Sequence, residues 1–519
     1  MSHDPDVMVQ ELHAEFESML NYVKDSRAAT ADQVERGLFK RLLSLGAHLL
    51  LWFFALRTKA AQRSQHQLAN GQPLPYHSER RRQYFSIFGK LAFWRPYFYR
   101  QGVGGVSPLD QELALGADCY SDLVRELVEY LGVGSTYAKV ADCFARLLGL
   151  ELSTQAISDL IAEDAEAVEA FYAQQAAPAP VSEAALLVVQ ADGKGVPIVR
   201  TTPAEAKVRL GKGDKHNRKK EAVVTGLYTI APQPRTAAEV IASLFHPAHT
   251  PGTPHIVRTG PQNKRLWATL AGKDTALTRL ADQAAKREGP HIQQRVALTD
   301  GAEALQERVQ QHLPTFTLVL DFIHADEKLW DVANSLFGET AAQRTPWVER
   351  QSLDVLAGRT SQVIEELRRL ASGTETSATQ QTLLTQVANY FDRNRPYMHY
   401  DQYLADGWPI ASGVIEGACR HLVKDRCELS GMRWTTTGVE DLLRLRAVAE
   451  NGDWEAYRRF FRQQRQQRLY GTPDTTAVPL ESQALADPEP TLLQRPAERA
   501  FIMPILVARR SAQPQKRAA

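Results

Sequence analysis

Cysteine is scarce: Cys119, Cys143, Cys419 and Cys427 are the only four in 519 residues. They show no CxxC spacing and nothing like the density of a disulfide scaffold, which leaves no basis for a cysteine-caged zinc and favours a reducing compartment. A charge of one sign is also missing. Lys and Arg number 61 against 60 Asp and Glu, net +1, so affinity for nucleic acid has to come from charge clustered on particular segments. The opening MSHDPDVMVQELHAEF has acids where a secretory signal needs a basic start and an apolar core, so the expected location is the cytoplasm. The longest apolar run, LLSLGAHLLLWFFAL at 42–56, falls short of the roughly 20 residues that span a bilayer. Its helical flanks suggest a buried helix, with no membrane role. No internal repeat is found, and a chain of this size with 44% hydrophobic residues should divide into two to four domains.

What is present reads as several segments. Residues 7–70 have apolar positions at helical spacing, and 1–75 is expected to be an N-terminal helical region. At 78–100, SERRRQYFSIFGKLAFWRPYFYR is rich in strand-forming aromatics and suggests two short strands about a tight turn at Gly89-Lys90. Helices resume at Ser107-Pro108. Two of them, 135–149 and 153–171, are joined by a short turn at Gly149, with Ser153 as N-cap of the second. This is either a helix-turn-helix, with Thr154, Gln155 and Ser158 facing bases, or an ordinary helical hairpin. The region 76–172 is thus a candidate DNA-binding region, and the Ala- and Pro-rich 173–185 a linker. Beyond it, LLVVQADGKG, EAVVTGLYTI, RVALTDG and TLVLDFIH have strand length and alternate with helical stretches, an α/β pattern. Residues 325–410 and 411–468 are helical. The Pro-rich 469–519 reads as mostly disordered.

Carboxylates at strand ends are the candidate chemistry. Asp192 and Asp300 each follow a buried apolar run and precede glycine, which marks a turn as readily as a metal site. Rigid neighbouring strand ends could hold hard oxygen ligands for two cations about 4 Å apart. Glycine beside each Asp would let a DNA backbone approach closely. Glu416, in SGVIEGACRHLVKDRCELSGMRW, lies beside an apolar face made by Ile415, Cys419 and Leu422. It could be a third ligand, or only the partner of Arg420 in an i, i+4 surface pair with Lys424 beyond it. Two basic segments are candidate phosphate contacts: Lys212, Lys215, Arg218, Lys219 and Lys220 in a loop between strands, and Arg80, Arg81 and Arg82 in the hairpin.

Taken in order, QADGKG, ALTDGA, LDFIHADEKLW and SGVIEGACRHLVKDRCELSGMRW resemble the ISKra group of bacterial insertion-sequence transposases, related to the Mutator branch of DDE enzymes. The likeness covers roughly residues 75–450. It implies a mixed-sheet ribonuclease-H-like catalytic core at 186–324, interrupted by a helical insertion at 325–410 and completed by helices at 411–468. It also implies Asp192 on the first strand, Asp300 after the fourth, and Glu416 closing a site for two Mg2+, with Mn2+ as substitute. Asp321 and His324 match that group's D-x-x-H element, and Asp321 could stand in for Asp300 as second acid. The implied activity is cleavage of element ends and transfer to target DNA, with a DNA-bound dimer expected from the chemistry. The alternatives are a non-catalytic DNA-binding regulator and a nuclease without strand transfer.

Overall fold

The computed structural model describes residues 4–199, 219–246, 260–374, 376–429 and 431–471. Helix α1 (Pro5–Asp25) starts where the Asp4 side chain accepts from Asp6 N, and α2 (Ala31–Ala60) starts on a Thr30–Gln33 capping box. The two run antiparallel: Trp52 Nε1 donates to Pro5 O, and Tyr22 Oη donates to Gln33 O. Phe54 is the only buried residue of α2, so the helix expected to be buried is mostly half-exposed. By length and composition alone, α2 could cross a membrane.

Residues 61–70, expected to be helical, instead lead into a sheet: β1 (Gln65–Gln67), β2 (Pro73–Ser86), β3 (Gly89–Arg100) and β4 (Gly104–Val106) pair antiparallel in that order. The hairpin is present, but Ser86 pairs with Gly89, which puts Ile87-Phe88 at the turn. Gly89 opens β3 with φ of 120°. Phe54 stacks on Phe93, ring centroids 4.1 Å apart, which fastens α2 to this sheet.

Next come α3 (Pro108–Glu112), α4 (Asp122–Gly132), α5 (Tyr137–Leu148), α6 (Thr154–Ala165) and α7 (Val168–Gln174). The helix expected over 153–171 therefore breaks in two. Buried ions tie these helices together: Arg125 reaches Asp164 at 2.6 Å, Glu163 at 2.8 Å and Asp118 at 2.5 Å. Arg458 meets Glu129 at 2.7 Å and Asp164 at 2.8 Å.

The second sheet has β5 (Leu186–Pro197), β6 (Lys219–Ile230), β7 (Gln262–Thr269), β8 (Gln294–Thr299) and β9 (Thr317–Leu320), in the order β7-β6-β5-β8-β9. Strands β5, β6 and β7 pair antiparallel, while β8 runs parallel to β5 and β9 parallel to β8. Helices α8 (Ala237–Phe245), α9 (Lys273–Ala285) and α10 (Glu303–His312) connect them. Alternation along β5 sends Leu187, Val189 and Ala191 into one core and Leu186 and Val188 into another, so the sheet is covered on both faces. The fold is mixed α/β. Strand β7 had no sequence signal because it starts Gln-Asn-Lys-Arg at a sheet edge and is apolar only at its end.

The stretch from 325 to 410 is helical as expected: α11 (Phe322–Phe337), α12 (Arg344–Leu356), α13 (Thr360–Ala371), α14 (Ala378–Asn394) and α15 (Tyr400–Ala405). Then follow α16 (Gly413–Ala418), a π-helical turn at Cys419–Lys424, the single turn α17 (Asp425–Cys427), α18 (Thr436–Glu450) and α19 (Trp454–Tyr470). Met1–Gly471 clusters as one compact unit. The segment expected to be a linker is tied down within it, with Glu183 fully buried against Arg287. The tail from 472 lies outside the described residues.

Candidate functional site

Parallel pairing of β5 with β8 ends at Gln190↔Leu298. Asp192 and Asp300 each lie two residues beyond that last pair, Asp192 still within β5 and Asp300 just past the end of β8. Strand β5 outruns β8 and stays paired with β6 as far as Pro197, so Asp192 is a mid-strand residue and Gly193 is not a turn. Asp300 does sit in a turn. Gly301 has φ of 86°, and a Cβ there would lie 2.6 Å from Tyr390 Oη, so this glycine is required by backbone and packing whatever approaches from outside. Helix α14 holds the turn: Tyr390 Oη donates to Asp300 O (3.1 Å) and Arg393 to Gly301 O (2.6 Å).

The chain leaves the sheet at Asp321 and returns at Ser412, and these two residues fasten the exit to the return. Asp321 N donates to Thr299 O, and Phe322 N donates to Ile410 O. The fully buried Asp321 carboxylate accepts from Ile323 N (2.7 Å), from Ser412 N (3.1 Å) and from Ser412 Oγ. Burial alone would raise this carboxyl; contacts from His324, Ser412 and Ile323 outweigh it and hold it below the usual range. Glu416 N then bonds back to Ser412 O, so Glu416 rides one turn beyond the staple. A second brace comes from Gln190, buried on the Asp192 side of β5. Its Oε1 accepts from Ile415 N (2.9 Å) and its Nε2 donates to Tyr228 Oη (3.0 Å).

Glu416 is exposed and does not pair with Arg420. The π-helical turn that follows shifts the register, and Arg420 points to Asp425 instead, at 3.8 Å. Carbonyls in the wide turn are met by buried Arg446, whose Nε donates to Leu422 O (2.7 Å). Ile415, Cys419 and Leu422 are buried together as expected, and the Cys419 thiol donates to Asp192 Oδ2 at 3.3 Å. Burial and the adjacent Asp192 push that thiol far up, so it stays protonated.

Asp321, His324 and Glu416 each bring one possible ligand atom within 4.8 Å of one another. That is not the trio expected from sequence. Asp321, however, is saturated by hydrogen bonds from its own chain, and His324 Nδ1 is 3.3 Å from Asp321 Oδ2. That contact, with the Asp321, Glu327 and Asp300 charges, raises His324 to about 9 against the opposing effect of burial, so without metal it is an imidazolium. The Glu416 carboxyl is raised by burial first, then by the charges of Asp321, Glu327 and Asp192, with His324 offsetting. Negative charge thus exceeds what the protein neutralises here. Hard carboxylate oxygens with surplus negative charge fit a divalent cation such as Mg2+. Sequence reasoning missed Gln190, Ser412, Tyr390 and Glu327. Gln190, the lone polar residue within LLVVQA, was the one that carried a readable signal.

Among the basic candidates, Lys212, Lys215 and Arg218 lie outside the described residues. Lys219 and Lys220 open β6 and are not loop residues; Lys219 also pairs with Glu428. Arg82 is half-buried and consumed by Asp110 (3.2 Å), Asp118 O (2.9 Å) and Gly116 O, which removes it as a phosphate contact. Arg80 and Arg81 are exposed, with Arg80 lying 3.4 Å over the Tyr97 ring. Arg420 and Lys424 are exposed on the π-helical turn beside Glu416. Thr154 and Gln155 are exposed and Ser158 half-exposed at the start of α6. Ser153 caps that helix as expected, accepting from Ala156 N. Gln155 donates to Asp159 at 2.7 Å, and α6 has no Lys or Arg, so only its first turn suits a phosphate-lined groove. Compared with family models and with curated proteins, the chain gives no match.

Proposed function

We propose that the chain is a metal-dependent DNA strand-cleaving and strand-joining enzyme, a transposase of the DDE type built on a ribonuclease-H-like core. One observation carries this reading: possible ligand atoms of Asp321, His324 and Glu416 lie within 4.8 Å of one another, and Cys419 close by bonds to Asp192, beside a sheet ordered β7-β6-β5-β8-β9 in which β8 and β9 run parallel to β5. A mixed sheet interrupted by helices is what the resemblance to ISKra-group transposases leads one to expect. Asp192, Asp300 and Glu416 would hold the cations, with the charge of Glu327 acting on Glu416 as well. The chemistry supplied there by two Mg2+ ions, or Mn2+, would be a lowered pKa for an attacking water and stabilisation of the leaving 3′ oxygen. Cys419 orients one Asp192 oxygen, and Asp321 with Gln190 fixes the helix that carries Glu416. Arg420, Lys424, Lys219 and Lys220 would neutralise phosphates on the same side, while the first turn of α6 would read base edges. Joining two element ends requires two catalytic centres, hence a DNA-bound dimer, acting in the cytoplasm.

Glu416→Gln tests the reading, since it keeps size and removes the charge a hard cation needs. Binding of an end fragment should persist while its cleavage in Mg2+ is lost by several powers of ten, each 1.36 kcal/mol of transition-state stabilisation being tenfold. Near-normal cutting by the variant would remove Glu416 from the site. A wild-type chain that binds but never cuts, in Mg2+ or Mn2+, would leave a DNA-binding regulator.

A further inference from the structure

Helices α1 and α2 hold nine of the twenty large apolar side chains exposed among the described residues. On α2 these are Phe39, Leu42, Leu49, Phe53 and Leu56, more than 40% exposed in every case. With Gly46 between Leu42 and Leu49 they fall at alternating spacings of three and four, the seam of a coiled coil. At Gly46 the seam is notched, and the Phe88 ring from the β2–β3 turn fills the space a Cβ would take. No Asp, Glu, Lys or Arg occurs between Arg41 and Arg57. Phe16 and Leu20 of α1, also exposed, extend the apolar surface sideways.

We propose that this face pairs with the same face of a second copy of the chain, packing the two α1–α2 hairpins into a four-helix bundle about a two-fold axis. The inference does not rest on the catalytic reading. Charge selects the occupant. Helix α1 has five acids and one lysine, net −4, whereas α2 has five bases and two acids, net +3. In a two-fold pairing that sets α1 of one copy beside α2 of the other, these charges attract. An anionic membrane would meet both helices of the hairpin together, net −1, and gain no attraction from charge. Lipid also cannot surround α2, because Phe54 is stacked on Phe93 and Ser44 and His48 are bonded to Glu15. From 39 to 56 the seam is about 26 Å long, met at Gly46 by the Phe88 ring of the same chain, with α1 alongside.

Sedimentation of the full-length chain without DNA, over a dilution series in the micromolar range, tests this. The expected species has twice the 57.9 kDa chain mass. The double variant Leu49→Glu, Phe53→Glu, at exposed positions, should keep its circular dichroism and melt while dimer affinity falls about 100-fold or more, as for central apolar anchors. Leu42→Ala, a milder change on the same seam, should weaken the dimer about tenfold and serves if the double variant melts early. A wild-type chain that stays monomeric, or variants that dimerise as tightly as wild type, would overturn the proposal. So would a monomer that pellets with phosphatidylcholine–phosphatidylglycerol vesicles and loses that binding in the double variant, since the occupant would then be lipid.

Discussion

Replacing Asp321 with Asn distinguishes a residue that positions the site from one that binds metal. Wild-type Asp321 is fully buried, and its carboxylate accepts from Ile323 N, Ser412 N and Ser412 Oγ beside His324 Nδ1 at 3.3 Å. The Asn oxygen can still serve Ile323 N, but its amide NH2 then faces the Ser412 donors and the imidazolium. Hydrogen bonds to a charged group contribute about 1.5–3 kcal/mol each, and an orphaned buried donor costs about 1–3 kcal/mol. Allowing for rearrangement, the variant should lose about 3–5 kcal/mol of stability, comparable to breaking a buried charge pair. Urea unfolding followed by tryptophan fluorescence, in EDTA, measures the loss without any cation. Cleavage should fall as well, because Glu416 is one turn beyond Ser412, and added Mg2+ should not restore it. Ser412→Ala, which keeps the backbone N–H and removes one bond to the carboxylate, should lose about 1.5–3 kcal/mol. A metal-free stability of Asp321→Asn within about 0.5 kcal/mol of wild type, the range of neutral surface changes, would refute the staple. If the cost emerged only in Mg2+, Asp321 would be a ligand.

Three further outcomes follow from the same geometry. His324 is raised from 6.5 to about 9 in the folded chain, so its stabilising contribution is complete below about 6.5 and is lost as pH rises through 9; melts in EDTA across that window should fall for wild type and stay flatter for His324→Gln, and equal slopes would show that the contact with Asp321 is energetically empty. Gln155→Ala should weaken binding to an element-end fragment by about 1–3 kcal/mol relative to random DNA, measured by fluorescence anisotropy, and an equal fall on both DNAs would reduce α5–α6 to a helical hairpin. Arg458→Met strands the fully buried Glu129 and leaves Asp164 with Arg125 alone, and should cost about 3–5 kcal/mol in chemical denaturation; an unchanged midpoint would mean that the remaining Arg125 neutralises both acids.

Local pattern alone made much of this protein legible. Strand-forming aromatics marked the β2–β3 hairpin, apolar runs marked four strands of the buried sheet, and Ser107 and Ser153 marked helix starts, because each depends on neighbours within a few residues. The acids Asp192, Asp300 and Glu416 were visible as candidates. Sequence could not tell Asp321 the ligand from Asp321 the staple, since its saturation depends on Ser412, 91 residues away. It could not place Gln190 against Ile415, 225 residues apart, or see that a π-helical turn separates Glu416 from Arg420. Arg82 read as a free cation because the carbonyls of Gly116 and Asp118 that bind it carry no mark in the sequence. The apolar run in α2 read as buried for the same reason: composition sets how apolar a helix is, but only the packing of the rest of the chain decides how much of it is covered.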